Sequence, residues 1–293
     1  MKKLMISVRQ IKLCFILIFS FQFLFSFSQK NDYIWELGSI GPNKPMGTDT
    51  NFFSYTIMDF NYDPVKITFD PKGNRTIDII GSNSSYSNDE GVLRRLTNRT
   101  YVVDGSYDTI EGGEGIFKDF LFDNFYPGSA TPPQGVIVLP IPRSKERLWL
   151  FSQKYSFSLD NGSALLQCEI DLTENNGNGK LAELDKRIIN KRLVMGNLTV
   201  TRHGNGIDWW LLLKGHYENE LHLYLLEFEG AKYITTFEDF ELSKGPFRGQ
   251  AYFSPDGTKY AIIESRVFEG PIHVNLLDFD RCTGEISVEI RFL

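Results

Sequence analysis

Positive charge is scarce in this sequence, and its shortage excludes a first class of function. The 293 residues hold 31 lysines and arginines against 37 aspartates and glutamates, so the formal net charge is −6. A protein that binds duplex nucleic acid needs a basic surface to displace the counterions of the phosphates. The sequence therefore predicts no nucleic-acid partner.

Cysteine, histidine and the spacings typical of catalytic or metal sites are scarce as well. There are three cysteines and four histidines, and no His-Glu-x-x-His, Cys-x-x-Cys or Gly-x-Ser-x-Gly string occurs. We therefore predict no cofactor, and we interpret the histidines as hydrogen-bonded residues at strand ends. Cys168 and Cys282 are interpreted as two small buried apolar side chains, with a disulfide as the alternative that export would permit.

Long apolar runs are missing except for one at the N-terminus. Lys2, Lys3, Arg9 and Lys12 precede an almost purely apolar stretch over residues 13–27, and small serines stand at 26 and 28, close to its end. This layout predicts a signal peptide over residues 1–29 and export to the periplasm, cell surface or extracellular space. The stretch is shorter than the roughly 20 residues that a spanning helix needs, so an uncleaved anchor is the weaker alternative and no membrane span is expected after cleavage.

Beyond residue 29 the dominant pattern is short apolar or alternating runs bounded by Gly, Asn, Asp and Pro. Such runs, rich in aromatic and β-branched residues, predict strands and hairpins. Three apolar strands and a fourth, more polar one recur at a spacing of about 50 residues. The predicted units lie near residues 71–110, 134–190, 197–240 and 249–293. Residues 30–70 show no clean unit, and Glu111–Gly115 is predicted to be a turn.

A four-strand unit repeated at this spacing is typical of a β-propeller. One small antiparallel sheet cannot cover both of its faces, and stacking such sheets buries the faces. The sequence thus predicts an all-β chain over residues 30–293, a β-propeller of four-stranded antiparallel blades with about four to five blades. The ring is either incomplete or closed by the N-terminal strand.

Three strings of residues resemble a known family. They run over residues 201–210 (TRHGNGIDWW), 253–257 (FSPDG) and 278–284 (DFDRCTG). The chain resembles exported proteins of Bacteroidetes type with a WD40-like or YVTN-like propeller, many of which end in a type IX secretion sorting domain. The resemblance implies export and a propeller, and it implies no established activity. The FSPDG string is shared by many propellers, and the other two strings are much more specific. The candidate positions in the three strings are Arg202, His203, Asp208, Trp209, Trp210, Ser254, Pro255, Asp256, Gly257, Asp280, Arg281 and Cys282.

The same positions have plain structural interpretations. Ser254–Gly257 suits a turn between two strands, because Pro presets φ and Asp and Gly tolerate the turn. Arg202, His203 and Asp208 suit a polar network that braces a blade. Trp209-Trp210 suits one ring in the core and one between blades, with ligand stacking as the alternative.

One further stretch is rich in oxygen ligands. Residues 171–179 hold Asp171, Glu174 and several asparagines and glycines. Calcium prefers such oxygens, but the spacing is not that of a twelve-residue calcium loop. A glycine-rich hairpin is the favoured interpretation, with calcium as the alternative.

The function expected from these observations is an exported, non-enzymatic interaction or scaffold module. Its partner would be a protein or a glycan. The alternative is a propeller hydrolase, for example a glycosidase, with carboxylates at the central channel. An enzyme would gather two or three carboxylates around a deep axial pocket.

Overall fold

The computed structural model of the chain describes a set of segments separated by short gaps. These segments are residues 31–38, 55–70, 77–79, 81–126, 134–154, 164–215, 220–238, 247–266 and 272–292. The predicted signal peptide over residues 1–29 lies outside them. No helix within these segments has the length and apolar character needed to cross a membrane.

The described segments contain twenty strands, nineteen of which form five sheets in chain order. The first sheet has three strands: β1 (Ile34–Gly38), β2 (Tyr55–Asp59) and β3 (Lys66–Asp70). The second has β4 (Ser84–Ser87), β5 (Leu93–Thr97), β6 (Tyr101–Asp104) and β7 (Thr109–Glu114). The third has β8 (Val136–Pro140), β9 (Arg147–Gln153), β10 (Leu165–Asp171) and β11 (Lys180–Ile189). The fourth has β13 (Thr199–Arg202), β14 (Trp209–Lys214), β15 (Leu221–Glu227) and β16 (Gly230–Phe237). The fifth has β17 (Phe247–Phe253), β18 (Lys259–Arg266), β19 (Ile272–Phe279) and β20 (Ile286–Phe292).

Each sheet is an antiparallel meander of consecutive strands, and three short elements connect or extend the sheets. The strand β12 (Met195–Gly196) pairs in parallel with β17. The second and third sheets are joined at one parallel pair, Glu111 with Lys180. A short helix, α1 (Phe120–Phe125), and a single 3-10 turn (Asn175–Gly177) complete the described elements. The predicted fold class is confirmed: the chain is all-β and propeller-like, built from four-stranded antiparallel sheets.

The core consists of layers between consecutive sheets, because alternate residues of a strand point to opposite faces. In β9, Leu148 and Leu150 pack towards the second sheet, whereas Trp149 and Phe151 pack towards the fourth. Further along, β14 divides in the same way between the third and fifth sheets, with Trp210 on the side of the fifth. Every central sheet is therefore apolar on both faces, which explains why its strands read as nearly continuous apolar runs.

The first sheet joins this stack through one face only. Tyr55 of β2 packs with Leu96 and Val103 of the second sheet, and its hydroxyl donates to the carbonyl of Ile77 at 3.0 Å. The sequence pattern did not indicate this sheet, since its strands are five residues long and, within the described segments, no other sheet covers its opposite face.

The segment Glu111–Gly115 differs from the expected turn, because residues up to Glu114 belong to β7. A Cβ atom at Gly113 would lie 2.6 Å from the carbonyl oxygen of Val102 on the neighbouring strand. Glycine at position 113 permits the backbones of two neighbouring strands to approach closely. The glycines of this segment were therefore misinterpreted as the residues of a turn.

The inner edge of the fifth sheet is closed by groups from elsewhere in the chain. The side-chain amide of Gln134 donates to the carbonyl of Ala251 in β17 and accepts from its N–H, both at 2.8 Å. Gln153 similarly bonds the carbonyl of Val194 at 3.0 Å and the N–H of Gly196 at 2.9 Å. At these places the glutamine side chains make the backbone hydrogen bonds that a neighbouring strand would otherwise make.

Candidate functional site

The residues singled out in the sequence lie on three turns at one end of the fourth and fifth sheets. These turns cover residues 203–208 between β13 and β14, 254–258 between β17 and β18, and 280–285 between β19 and β20. We refer to them together as the hairpin junction. All twelve positions lie in these turns or at the strand ends beside them.

Hydrogen bonds inside the first turn account for Asp208. The N–H of His203 donates to the carbonyl of Asp208 at 2.9 Å, which closes the hairpin. The amide nitrogen of Asn205 donates to the Asp208 carboxylate at 2.6 Å, while its oxygen accepts the N–H groups of Ile207 and Asp208. Asp208 therefore holds the turn in shape.

The second turn is organised by Asp256. Its carboxylate accepts the hydroxyl of Ser254 at 2.6 Å and both the N–H and the hydroxyl of Thr258, at 3.1 and 2.9 Å. These hydrogen bonds lower the pKa of Asp256 to about 2, and the bond from the Ser254 hydroxyl has the largest effect. The N–H of Gly257 donates to the carbonyl of Ser254 at 2.7 Å, and its φ of 71° suits glycine.

The third turn locks the two sheets together. Asp280 accepts the N–H groups of Cys282 and Thr283 at 2.7 and 3.2 Å. The carbonyl of Arg281 accepts two bonds from the fourth sheet, from the N–H of Gly204 at 2.8 Å and from the indole of Trp210 at 2.7 Å. The hairpin junction is thus a brace between blades.

Arg202 and Trp209 face the other way, towards the third sheet. The Arg202 guanidinium lies 3.5 Å from the centre of the Trp209 ring, and the Trp209 indole donates to the carbonyl of Pro140 at 3.1 Å. Burial lowers the pKa of Arg202 to about 10, although the Asp208 carboxylate opposes that shift. Trp210 packs in the opposite layer, so the two neighbouring tryptophans lie in two different layers between sheets.

Neither of the two cysteines of residues 30–293 forms a disulfide. Cys168 is buried in the layer between the second and third sheets, as predicted. Cys282 is exposed, and it lies in the turn over residues 280–285. Its sulfur is close to Gly204, since a Cβ atom added to Gly204 would lie 2.4 Å from it. The expectation that Cys282 is buried is therefore wrong.

A shallow groove of about 790 Å³ adjoins the hairpin junction. Its carboxylates are engaged in structural contacts: Asp278 pairs with Lys259 at 2.7 Å, and Asp280 caps its own turn. Glu285 is exposed at the rim. Within the described segments, no three His, Cys, Asp or Glu side chains are grouped so as to hold a metal ion.

The oxygen-rich stretch over residues 171–179 contains a tight loop. Asp171 accepts the N–H and the hydroxyl of Thr173 at 2.8 and 2.6 Å, which lowers the pKa of Asp171. The guanidinium of Arg95 donates to the carbonyl of Asn178 at 3.0 Å. The Arg95 guanidinium and Thr173 therefore already donate hydrogen bonds to two oxygens of this loop. Calcium binding at this loop stays a prediction.

A second surface, which the sequence did not indicate, is the outer face of the first sheet. Strand register places Trp35, Met58 and Ile67 in one row across the sheet and Leu37, Thr56 and Phe69 in the next. Four of these side chains are strongly exposed, at 48% for Trp35, 50% for Leu37 and Ile67, and 69% for Phe69. The only signal for it in the sequence is the alternation within two five-residue strands, which is too short to show which face has a neighbour.

Comparisons with known proteins give low similarity throughout. No protein-family model and no curated protein matches the chain. Among solved structures it is similar to a candidate 6-phosphogluconolactonase from Bacteroides uniformis, at 12% identity and a TM-score of 0.41, over 84% of this chain and 66% of that one. It is also similar to a candidate 6-phosphogluconolactonase from Bacteroides fragilis, at 10% identity and a TM-score of 0.42, over 89% and 82% of the two chains. A protein of unknown function from Desulfotomaculum acetoxidans matches at 13% identity and a TM-score of 0.40, over 82% and 63%. Similarity at this level says nothing about the activity of this chain.

Proposed function

We propose that the chain is an exported binding module that recognises a protein partner through the outer face of its first sheet. One observation carries the proposal: Trp35, Leu37, Ile67 and Phe69 form a contiguous apolar surface that is about half exposed or more. Monomeric proteins rarely expose contiguous apolar patches of a few hundred Å² without a use for them. Aromatic residues are also enriched in binding interfaces.

The construction of the rest of the molecule supports this use. The second, third and fourth sheets cover both of their apolar faces with neighbouring sheets. The first sheet has the same alternation, with Ile34 and Glu36 buried on its inner face and Trp35 and Leu37 exposed on its outer face. Trp35 is held by the ring of Phe60, whose centre is 5.0 Å away. The outer face is thus an ordered sheet surface of the kind that another apolar surface can cover.

The binding proposal is tested with peptides displayed on phage. Binders are selected on the wild-type protein and counter-selected on the Leu37→Ser/Phe69→Ser variant. Ile207→Ser is the matched control, since Ile207 is an isolated exposed residue on a turn, at 42% exposure. We expect enrichment of apolar peptides that bind wild type and the control but not the double variant.

One other result would change the class of partner, and another would contradict the proposed site. Glycan-array binding that the double variant abolishes would replace the protein partner with a glycan. Binders that the double variant retains would show that this face is not the site. Export is tested separately by mass spectrometry of the exported protein, where an N-terminus near Gln29 or Lys30 is expected and an intact Met1 in the cytosol contradicts it.

A further inference from the structure

Among the described residues, the third strand of the first sheet has no strand along its outer edge, where each of the other sheets has a fourth strand. In the second to fifth sheets the third strand pairs with a fourth, as β10 does with β11 and β15 with β16. Within the described segments β3 pairs only with β2. Lys66, Ile67, Thr68 and Phe69 are all exposed. Half of the N–H and C=O groups of this strand point away from β2, and such an edge specifies an extended strand as its partner.

The sequence of β3 is complementary to itself. It reads Lys-Ile-Thr-Phe-Asp over residues 66–70. When two such strands pair antiparallel with Thr68 opposite Thr68, Lys66 of each copy lies opposite Asp70 of the other. Ile67 lies opposite Phe69 in the same arrangement. Opposite charges and apolar pairs at opposed positions each stabilise a sheet, whereas like charges destabilise it.

From this complementarity we infer that a second copy of this chain occupies the edge, giving a two-fold symmetric dimer in which two β3 strands pair. The contact is isologous, so it closes at two copies. Prolines at positions 64 and 71 bracket the strand. Because proline cannot donate a backbone hydrogen bond, they limit pairing to five residues and oppose growth into longer assemblies.

The dimer also joins the two outer faces. A two-fold axis perpendicular to the sheet keeps the exposed faces of both copies on one side. The row Trp35, Met58, Ile67 of one copy then continues into Phe69, Thr56, Leu37 of the other. The result is a six-stranded sheet with one apolar face. This inference does not depend on the proposed binding function, because it uses the edge of β3 and not its face.

Charge reversal on the full exported chain tests the register. In Lys66→Glu, two opposed pairs per dimer become like-charged, and we expect sedimentation equilibrium to show dimerisation weakened by about tenfold or more. The double variant Lys66→Glu/Asp70→Lys exchanges the charges and should restore wild-type dimerisation. Phage-selected peptide binding should persist in all these variants, which separates this test from that of the binding face.

Hydrogen exchange on the wild type gives a second readout that needs no variant. The amides of residues 66–70 should exchange more slowly as concentration rises, while those of a buried strand such as β14 stay unchanged. A wild type that remains monomeric, with concentration-independent exchange in β3, overturns the inference. So does a Lys66→Glu variant that dimerises like wild type, or a double variant that stays as weak as the single one.

Discussion

Gly206 and Gly257, in two turns of the hairpin junction, allow the cost of backbone strain to be distinguished from the cost of a steric clash. Gly206 and Gly257 have nearly the same φ, 73° and 71°. A Cβ at Gly206 would meet nothing within 4 Å, whereas one at Gly257 would lie 2.2 Å from the Thr201 hydroxyl and 2.6 Å from Cδ of Arg281. The backbone cost of alanine is therefore matched at the two positions, and only the steric cost differs.

We expect Gly257→Ala to destabilise the protein more than Gly206→Ala does. Both variants carry the cost of a left-handed residue, about 1 kcal/mol, and Gly257→Ala adds about 1–3 kcal/mol of overpacking. Urea unfolding of both variants measures the difference. Equal losses would show that the turn at 254–258 is not held against β13 and the turn at 280–285.

The Asp256 carboxylate gives a prediction about pH. Its pKa is lowered from 3.8 to about 2 in the folded chain, so its contribution to stability is complete above pH 4–5 and is lost as the pH falls towards 2. The stability deficit of Asp256→Asn relative to wild type should therefore shrink on acidification through this window. Thermal unfolding across pH measures it, with Glu285→Gln as the control for an exposed carboxylate.

At the scale of elements, Gln134 ties the start of the third sheet to the inner strand of the fifth. Gln134→Ala would leave the N–H and C=O of the buried Ala251 without their partner, at a cost of about 1–3 kcal/mol. Gln250→Ala, at a neighbouring exposed position, should cost little. Hydrogen exchange of β17 should accelerate only in the first variant, and equal exchange in both would contradict the bridging role.

The short helix α1 is fixed by a buried ion pair. Asp119 accepts the N–H of Phe122 at 3.2 Å and pairs with Arg99, whose Nε also donates to the hydroxyl of Ser152 at 2.8 Å. Asp119→Ala leaves the Arg99 charge buried and unpaired, so we expect a loss of roughly 3–5 kcal/mol. Asp119→Asn should lose less, because it retains the hydrogen bond that caps the helix. Chemical denaturation ranks the two variants, and a ranking in the reverse order would contradict this account.

The elements that the sequence predicted well are those buried on both faces. The strands of the third and fourth sheets show the apolar pattern because a layer of core lies on each of their two faces, as around Trp149 and Leu150. The first sheet escaped prediction because its strands have only five residues each and, among the described residues, only one of its faces packs into a core layer. Strand β7 was mistaken for a turn because Gly113 meets a backbone carbonyl, which is a contact across strands that local pattern cannot reveal.

The residues of the candidate sites also include some that the sequence indicated and some that it did not. The structure brings the three family-like strings together at the hairpin junction, where their hydrogen bonds shape the turns and link the fourth and fifth sheets. The outer face of the first sheet could not be predicted, since its exposure depends on which sheets lie next to it. Arg99 and Asp119, twenty positions apart, likewise meet only through the tertiary fold.

Within the described segments, the five sheets pack one on the next, and the outer faces of the first and fifth sheets have no neighbouring sheet. Among the described residues, four apolar layers join consecutive sheets and none joins the fifth sheet to the first. Tyr252 and Ile263 on the fifth sheet are 51% and 41% exposed, in keeping with Ile67 and Phe69 on the first. The apolar surface available for binding follows directly from this arrangement.

Carbene footprinting of the folded chain, diluted so that it is monomeric, tests this claim most directly. We expect Trp35, Ile67 and Phe69, at 48%, 50% and 69% exposure, to be labelled strongly in the folded chain, while Trp149 and Trp210, at 2% and 3% exposure, stay protected. Protection of the first-sheet face equal to that of Trp149 and Trp210 would show that it is covered within the monomer, and would contradict both the open stack and the binding function built on it.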